Sequence, residues 1–104
     1  MPRKKEYKPK ISHTELQNAI VKFAKLKGWK CQYFWRNIHS PSGWPDLYLC
    51  RYPRTVVSEL KVPPDRVKPA QQEWLDLLAM YPQNEVFVWY PDDWLSGKIE
   101  KILE

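Results

Sequence analysis

Apolar residues recur at helical spacing near the start of the chain. Between His13 and Lys27 they stand three or four positions apart, which puts them on one face of an α-helix. Ser12 or Thr14 is a suitable N-cap, and Gly28 is a suitable end. The stripe comprises Leu16, Ala19, Ile20, Phe23, Ala24 and Leu26. This pattern predicts a first helix.

Segments rich in aromatic and β-branched residues predict four strands. The middle two flank a turn at Pro53-Arg54 and are short enough to form a β-hairpin, and a loop over 38–45 leads into them. The four predicted strands are 30–37, 46–52, 55–62 and 85–90.

Two further helices complete the predicted order of elements. One runs from Pro69 to Met80, where a proline in the first turn is tolerated because its missing N–H would be unpaired there. The last begins at Pro91-Asp92-Asp93, and Gly97 weakens it. A helix between the third and fourth strands permits a parallel crossover. The order α-β-β-β-α-β-α therefore predicts an α/β fold with a mixed four-stranded sheet flanked by helices.

Alternation along the hairpin puts three charged side chains on one face. Opposed residues sum to an odd number such as 105 or 107, and for either register Asp46, Glu59 and Lys61 project to the same side. Two carboxylates and an ammonium group are costly to bury unless they are paired or hold a metal. The arrangement favours a metal site, and a structural ion pair of Lys61 with Asp46 or Glu59 is the alternative. The opposite, apolar face carries Leu47, Leu49, Val56, Leu60 and Val62.

Composition adds a basic tail to this picture. The formal net charge is +5, and residues 1–10 hold five cations against one acid, Glu6. The length fits one domain, which we assign to 11–104, with 1–10 as a disordered tail that suits contact with phosphates. A solubilising terminus is the alternative. The sequence has neither a membrane-length apolar run nor a signal peptide, so we expect a soluble, cytoplasmic protein.

The charged motifs carry a family resemblance. Gly43-Trp44-Pro45-Asp46 followed by Glu59-Leu60-Lys61 resembles the active-site signature of the PD-(D/E)xK nuclease superfamily. Gln71-Gln72-Glu73-Trp74 resembles the Gln-x-x-Trp element of the virus-type replication-repair nuclease (VRR-NUC) family. Thr14-Glu15-Leu16-Gln17 extends the similarity over nearly the whole chain beyond residue 11. The resemblance implies a restriction-endonuclease-like core.

The resemblance also implies a metal centre. Asp46, Glu59 and the carbonyl oxygen of Leu60 would bind Mg²⁺ or Mn²⁺, for which oxygen ligands are suited. Lys61 would position the attacking water or offset charge in the transition state. Glu15 is the candidate third carboxylate, although Gln17, at the opposite edge of the apolar stripe, fits nearly as well. A plain acidic residue at the start of the helix, favoured there by the helix dipole, is the alternative for Glu15.

Other residues have less distinctive roles. Gln71 would contact the metal-bound water or a phosphate, and a plain first-turn polar residue is the alternative. Trp74 is expected to pack in the core. His13 and His39 lack a partner at diagnostic spacing and are expected to be non-catalytic. The candidate DNA-backbone contacts are Arg3, Lys4, Lys5, Arg66 and Lys68.

The resemblance implies a metal-dependent DNA endonuclease of phage or mobile-element replication and repair. Self-standing members resemble Holliday-junction resolvases that act as dimers. A monomeric flap nuclease is one alternative, and a non-cleaving nucleic-acid-binding module, disfavoured by the intact charged residues, is another. Six tryptophans and six tyrosines suggest an aromatic dimer interface, or else rings that stack on bases. The interface candidates are Trp29, Tyr33, Trp35, Trp89 and Trp94.

Overall fold

A computed structural model describes residues 11–33 and 42–104. Within these ranges the chain forms four helices and four strands, one helix more than predicted. Predictions for residues 1–10 and 34–41, which include Arg3, Lys4, Lys5, Trp35 and His39, lie outside the described residues. The elements are α1 (His13–Leu26), β1 (Lys30–Tyr33), β2 (Leu47–Arg51), β3 (Arg54–Leu60), α2 (Pro69–Ala79), β4 (Asn84–Trp89), α3 (Pro91–Leu95) and α4 (Lys98–Leu103).

The four strands form one mixed sheet in the order β1-β2-β3-β4. β1, β2 and β3 are antiparallel neighbours, whereas β4 runs parallel to β3. A parallel pair needs a long crossover, and α2 supplies it. The predicted α/β fold, with a mixed four-stranded sheet flanked by helices, is confirmed.

The hairpin turn lies one residue earlier than predicted. Arg51 pairs with Arg54 and Leu47 with Ser58, so opposed residues sum to 105 and the two-residue turn is Tyr52-Pro53 instead of Pro53-Arg54. Arg54 becomes a strand residue, and its guanidinium group donates two hydrogen bonds, of 2.8 and 2.7 Å, to Glu85 of β4. The sums 105 and 107 differ by a two-residue slip, which leaves every side chain on the same face of the sheet.

The main core lies between the sheet and a layer formed by α1 and α4. The apolar face predicted for the hairpin is buried there except for Val62, which is half-buried. Val57, Leu75 and Leu78 are buried on the opposite side, where α2 lies. Trp29 and Trp89 are only 3% and 1% exposed, so they were wrong candidates for a dimer interface. The core contains Leu16, Ile20, Val21, Ala24, Trp29, Leu47, Leu49, Val56, Leu60, Trp89, Ile99 and Leu103.

The last predicted helix is two helices. Gly97 adopts φ +84° between α3 and α4, a left-handed conformation that an α-helix does not contain. The break lets Ile99 and Leu103 turn into the core, where both are fully buried. Across the described residues, we find no helix whose length and apolar character would let it span a membrane.

Candidate active site

The loop before β2 is held tightly against the start of α2. Gly43 has φ +85°, and a Cβ atom there would lie 2.5 Å from the carbonyl oxygen of Ala70. Trp74 Nε1 donates a 3.1 Å hydrogen bond to the carbonyl of Ser42, and the Trp74 ring meets Trp44 edge-on at 4.8 Å. The Gly-x-Pro-Asp loop and the Gln-x-x-Trp helix thus form one packed unit. Trp74 has a packing role, but it is half-buried against this loop and does not lie in the main core as expected.

This unit delivers Asp46 to the start of β2, where two other elements, β3 and α1, contact its carboxylate. Asp46 Oδ2 accepts a 2.9 Å hydrogen bond from the backbone N–H of Leu60, on the neighbouring strand. The same oxygen lies 3.1 Å from Nε2 of His13, at the head of α1. The Asp46 side chain is 18% exposed, so it stays accessible while its orientation is held.

Glu59 and Lys61 form a buried ion pair next to Asp46. Lys61 Nζ lies 3.3 Å from Glu59 Oε2, and the Lys61 and Glu59 side chains are 5% and 3% exposed. Lys61 also lies 3.8 Å from Oδ2 of Asp65, a half-exposed carboxylate whose place in the site the sequence pattern did not reveal. The ion pair considered as an alternative to a metal site therefore exists, yet it engages only one oxygen of Glu59.

The other oxygen of Glu59 indicates what the site can bind. Glu59 Oε1 is buried without a hydrogen-bond partner. Burial, together with the negative charge of Asp46, raises the pKa of Glu59 to about 7 against the opposing effect of Lys61. A buried acceptor without a donor is costly, and a cation removes that cost. The carboxylates of Asp46 and Glu59 are oxygen ligands of the kind that Mg²⁺ and Mn²⁺ take, so these residues fit a divalent cation.

Neither candidate third ligand of α1 contacts these two carboxylates. Glu15 is exposed and forms a capping box: its Oε1 accepts a 2.9 Å bond from the N–H of Ser12, and its own N–H donates to Ser12 Oγ at 3.0 Å. These bonds lower the pKa of Glu15. Gln17 is buried, and its Oε1 has no partner. As their side chains stand, no three His, Cys, Asp or Glu residues within 11–33 and 42–104 are grouped as a ready metal site, so a cation bound at Asp46 would have to draw its other ligands towards it.

The residue that α1 does bring to Asp46 is His13, which was expected to be non-catalytic. The hydrogen bond to Asp46 raises the pKa of His13, against a lowering by desolvation. No local spacing reveals this contact because it joins residues 33 positions apart. One signal was present in the sequence: His13 stands three and four residues before Leu16 and Gln17, on the helix face that is buried.

The remaining predicted residues lie around α2. Gln71 Oε1 accepts a 2.8 Å hydrogen bond from the N–H of Lys68 and so caps the helix, which is the first-turn role considered as its alternative. Arg66 and Lys68 are exposed on the segment that leads into α2. Their contact with DNA, and the role of Gln71 in catalysis, remain predictions.

Comparison with known proteins agrees with this geometry. A family model described as the VRR-NUC domain matches residues 8–88. That span runs from α1 through α2 and into β4, and it includes Asp46, Glu59, Lys61 and Trp74. No curated protein and no solved structure matches the chain.

Proposed function

The chain belongs to the VRR-NUC family and is a nuclease, and we propose that it is a DNA endonuclease that needs Mg²⁺ or Mn²⁺ to hydrolyse phosphodiester bonds. One observation carries the metal dependence: Glu59, next to Asp46, is buried with an oxygen that has no partner and with a pKa raised to about 7. Buried carboxylate oxygens are normally paired, and the described residues supply no partner for this one. A cation at the two carboxylates would satisfy it.

The residues that would hold the cation are Asp46, Glu59 and the carbonyl oxygen of Leu60. Bound there, a divalent cation polarises a phosphate and lowers the pKa of a coordinated water. The Leu60 N–H holds Asp46 in a fixed orientation by its bond to Oδ2. Lys61 keeps its ammonium group beside the carboxylates through Glu59 and Asp65. Because Lys61 is almost fully buried, water screens its charge little, which suits it to stabilise charge that develops on the phosphate oxygens.

Asp46→Asn and Lys61→Ala should each lower the cleavage rate by at least about 100-fold, because the first weakens the proposed cation site and the second removes a positive charge that would act on the reacting phosphate. DNA affinity should change by only a few-fold. The measurement is cleavage of labelled four-way, flap and linear duplex DNA in Mg²⁺, Mn²⁺ or EDTA. Asp76→Asn is the matched control, since Asp76 is an exposed α2 carboxylate bonded to Gln72. Full cleavage in EDTA, or an unimpaired Asp46→Asn protein, would refute the proposal.

We propose that the substrate is branched DNA and that a homodimer cuts it, and the same assay tests the choice of substrate. One domain offers one site, whereas resolving a four-way junction needs two symmetric cuts, which a two-fold dimer supplies. Exposed apolar side chains are available for such a contact, among them Tyr52 (97% exposed) and Met80 (77%). We expect paired nicks and a solution mass near twice 12.5 kDa. A monomer that prefers flaps would favour the flap-nuclease alternative, and binding without cleavage would favour the non-cleaving module.

The family and the charge distribution support a proposal about the biological context. We propose a role in phage or mobile-element replication and repair, in the cytoplasm of a bacterial or phage-infected cell. Arg3, Lys4 and Lys5, with the exposed Arg66 and Lys68, would contact the DNA backbone without reading its sequence. The excess of cations within residues 1–10 supports this assignment.

Deleting residues 2–10 should flatten the dependence of log affinity on log salt by a few units, at about 0.9 for each phosphate that the tail neutralises. Fluorescence anisotropy with labelled duplex DNA between low and moderate salt measures the slope. Replacing Lys98 and Lys101 of α4 by alanine removes two positive charges that are not among the proposed DNA contacts. This control should leave the slope unchanged. Equal slopes for the truncated and full-length chains would show that the tail does not bind DNA.

A further inference from the structure

His13 is held at the site by the way α1 begins. Ser12 caps the helix, which fixes His13 as its first residue. The imidazole is 47% exposed, yet its Nε2 lies 3.1 Å from Asp46 Oδ2. One turn further along the same face, Gln17 is buried, so this face of α1 is packed in place and does not rotate freely.

The contact between His13 and Asp46 leaves one buried oxygen of Glu59 without a hydrogen bond. Asp46 Oδ2 receives both the imidazole and the Leu60 N–H, while Oε1 of the buried Glu59, a carboxylate that is influenced by the charges of Asp46 and His13, receives no hydrogen bond. The arrangement is explained if one more positive group, absent from the chain itself, completes the cluster.

The distance between the two atoms is that of a hydrogen bond, and it also matches the separation of two adjacent ligands of one cation. In an octahedral site with metal–ligand bonds of about 2.1 Å, adjacent ligands are about 3 Å apart. The Nε2···Oδ2 separation is 3.1 Å. A cation would take the place of the proton that Nε2 and Oδ2 now share, and that proton would leave to solvent. Glu15, the carboxylate that the sequence favoured, is instead committed to the cap of Ser12.

We propose that Nε2 of His13 is the α1 ligand of the cation and that the site therefore binds Mn²⁺ in preference to Mg²⁺. This inference rests on the proposed metal dependence. Imidazole nitrogen is a ligand that transition metals accept, whereas Mg²⁺ selects oxygen. A carboxylate at position 13 would favour Mg²⁺. The imidazole of His13 would therefore set the metal preference of this chain.

Mn²⁺ binding to the DNA-free full-length protein tests the proposal without reference to cleavage. Electron paramagnetic resonance counts free Mn²⁺ during a titration, and electron spin echo modulation detects ¹⁴N bonded to the bound ion. We expect the wild type to show imidazole ¹⁴N modulation. His13→Ala should lose it and bind Mn²⁺ at least about tenfold more weakly, with a smaller change for Mg²⁺. Asn18→Ala, on the exposed face of α1, is the matched control and should behave as the wild type.

Two further variants separate ligation from mere positioning of Asp46. His13→Gln keeps a hydrogen-bond donor toward Asp46 but removes the imidazole nitrogen, so its Mn²⁺ affinity should stay low. Recovery of wild-type affinity in His13→Gln would make His13 a positioning residue and overturn the proposal. Loss of Mn²⁺ affinity in Glu15→Gln but not in His13→Ala would also overturn it, in favour of the carboxylate.

The outcomes also separate this inference from the proposed function. Wild-type protein that binds Mn²⁺ without ¹⁴N modulation overturns ligation by His13 and leaves the metal dependence intact. Wild-type protein that binds no divalent cation, and cleaves equally in EDTA, overturns both.

Discussion

Replacing Glu59 with glutamine should abolish cleavage and, in the metal-free protein, remove most of the loss of stability between pH 5 and pH 8. The folded protein raises the pKa of Glu59 from 4.5 to about 7, mainly through burial. A raised folded-state pKa gives stability that is complete below the unfolded value and is lost as the pH rises through the folded value. That loss amounts to about 3 kcal/mol at most. His13, whose pKa is also raised, acts in the same direction.

Urea unfolding in EDTA at pH 5, 6, 7 and 8 measures the effect. The wild type should lose stability over this range, whereas Glu59→Gln should lose much less because the amide does not ionise. Glu85→Gln is the matched control. Arg54 lowers the pKa of Glu85, so this variant should lose as much stability between pH 5 and pH 8 as the wild type does. Mn²⁺ should stabilise the wild type at pH 8 by binding the folded state. If stability fell equally with pH in the wild type and in Glu59→Gln, ionisation of Glu59 would not be the cause of the loss.

The sheet faces were predictable because strand alternation does not depend on the details of the turn. The structure moves the turn to Tyr52-Pro53, yet Leu47 and Leu49 remain in the core. Glu59 and Lys61, two positions apart on one strand, meet at 3.3 Å on the other side. A slip of two residues preserves parity, so an error in the turn left the prediction of the charged cluster intact.

Contacts that depend on how helices pack were not predictable from local spacing. The approach of His13 to Asp46 requires the position of α1 relative to β2, which no motif encodes. Glu15 is different, because Ser12-x-x-Glu15 is a capping-box pattern that the sequence displays openly. Two roles competed for this carboxylate. Capping Ser12, three residues away, has a smaller entropic cost than binding a cation, because the helix already orders both Ser12 and Glu15.

Replacing Gly43 with alanine should both destabilise the fold and lower cleavage. The new Cβ would lie 2.5 Å from the carbonyl oxygen and 2.6 Å from the carbonyl carbon of Ala70, and neither is a movable side chain. The left-handed backbone adds about 1–2 kcal/mol for a residue with a Cβ. With the overpacking, the total loss should be about 3 kcal/mol or more. Asp46 lies three residues on, and a displacement of about 1 Å at an active site lowers the rate by about 100-fold.

Gly97→Ala separates the close contact from the backbone strain. Gly97 has φ +84°, nearly that of Gly43, but a Cβ there would meet only the flexible end of Glu100, at 3.9 Å. The Gly97→Ala variant should therefore lose only the stability that backbone strain costs, about 1–2 kcal/mol. It should keep full cleavage because Gly97 joins α3 to α4, away from Asp46. Urea unfolding of both variants gives the difference, and a cleavage assay in Mn²⁺ gives the functional half. Equal stability losses, or full activity in Gly43→Ala, would mean that the packing of this loop on α2 does not position Asp46. A larger loss confined to Gly43 would identify this backbone contact as the element that joins the two motifs into one site.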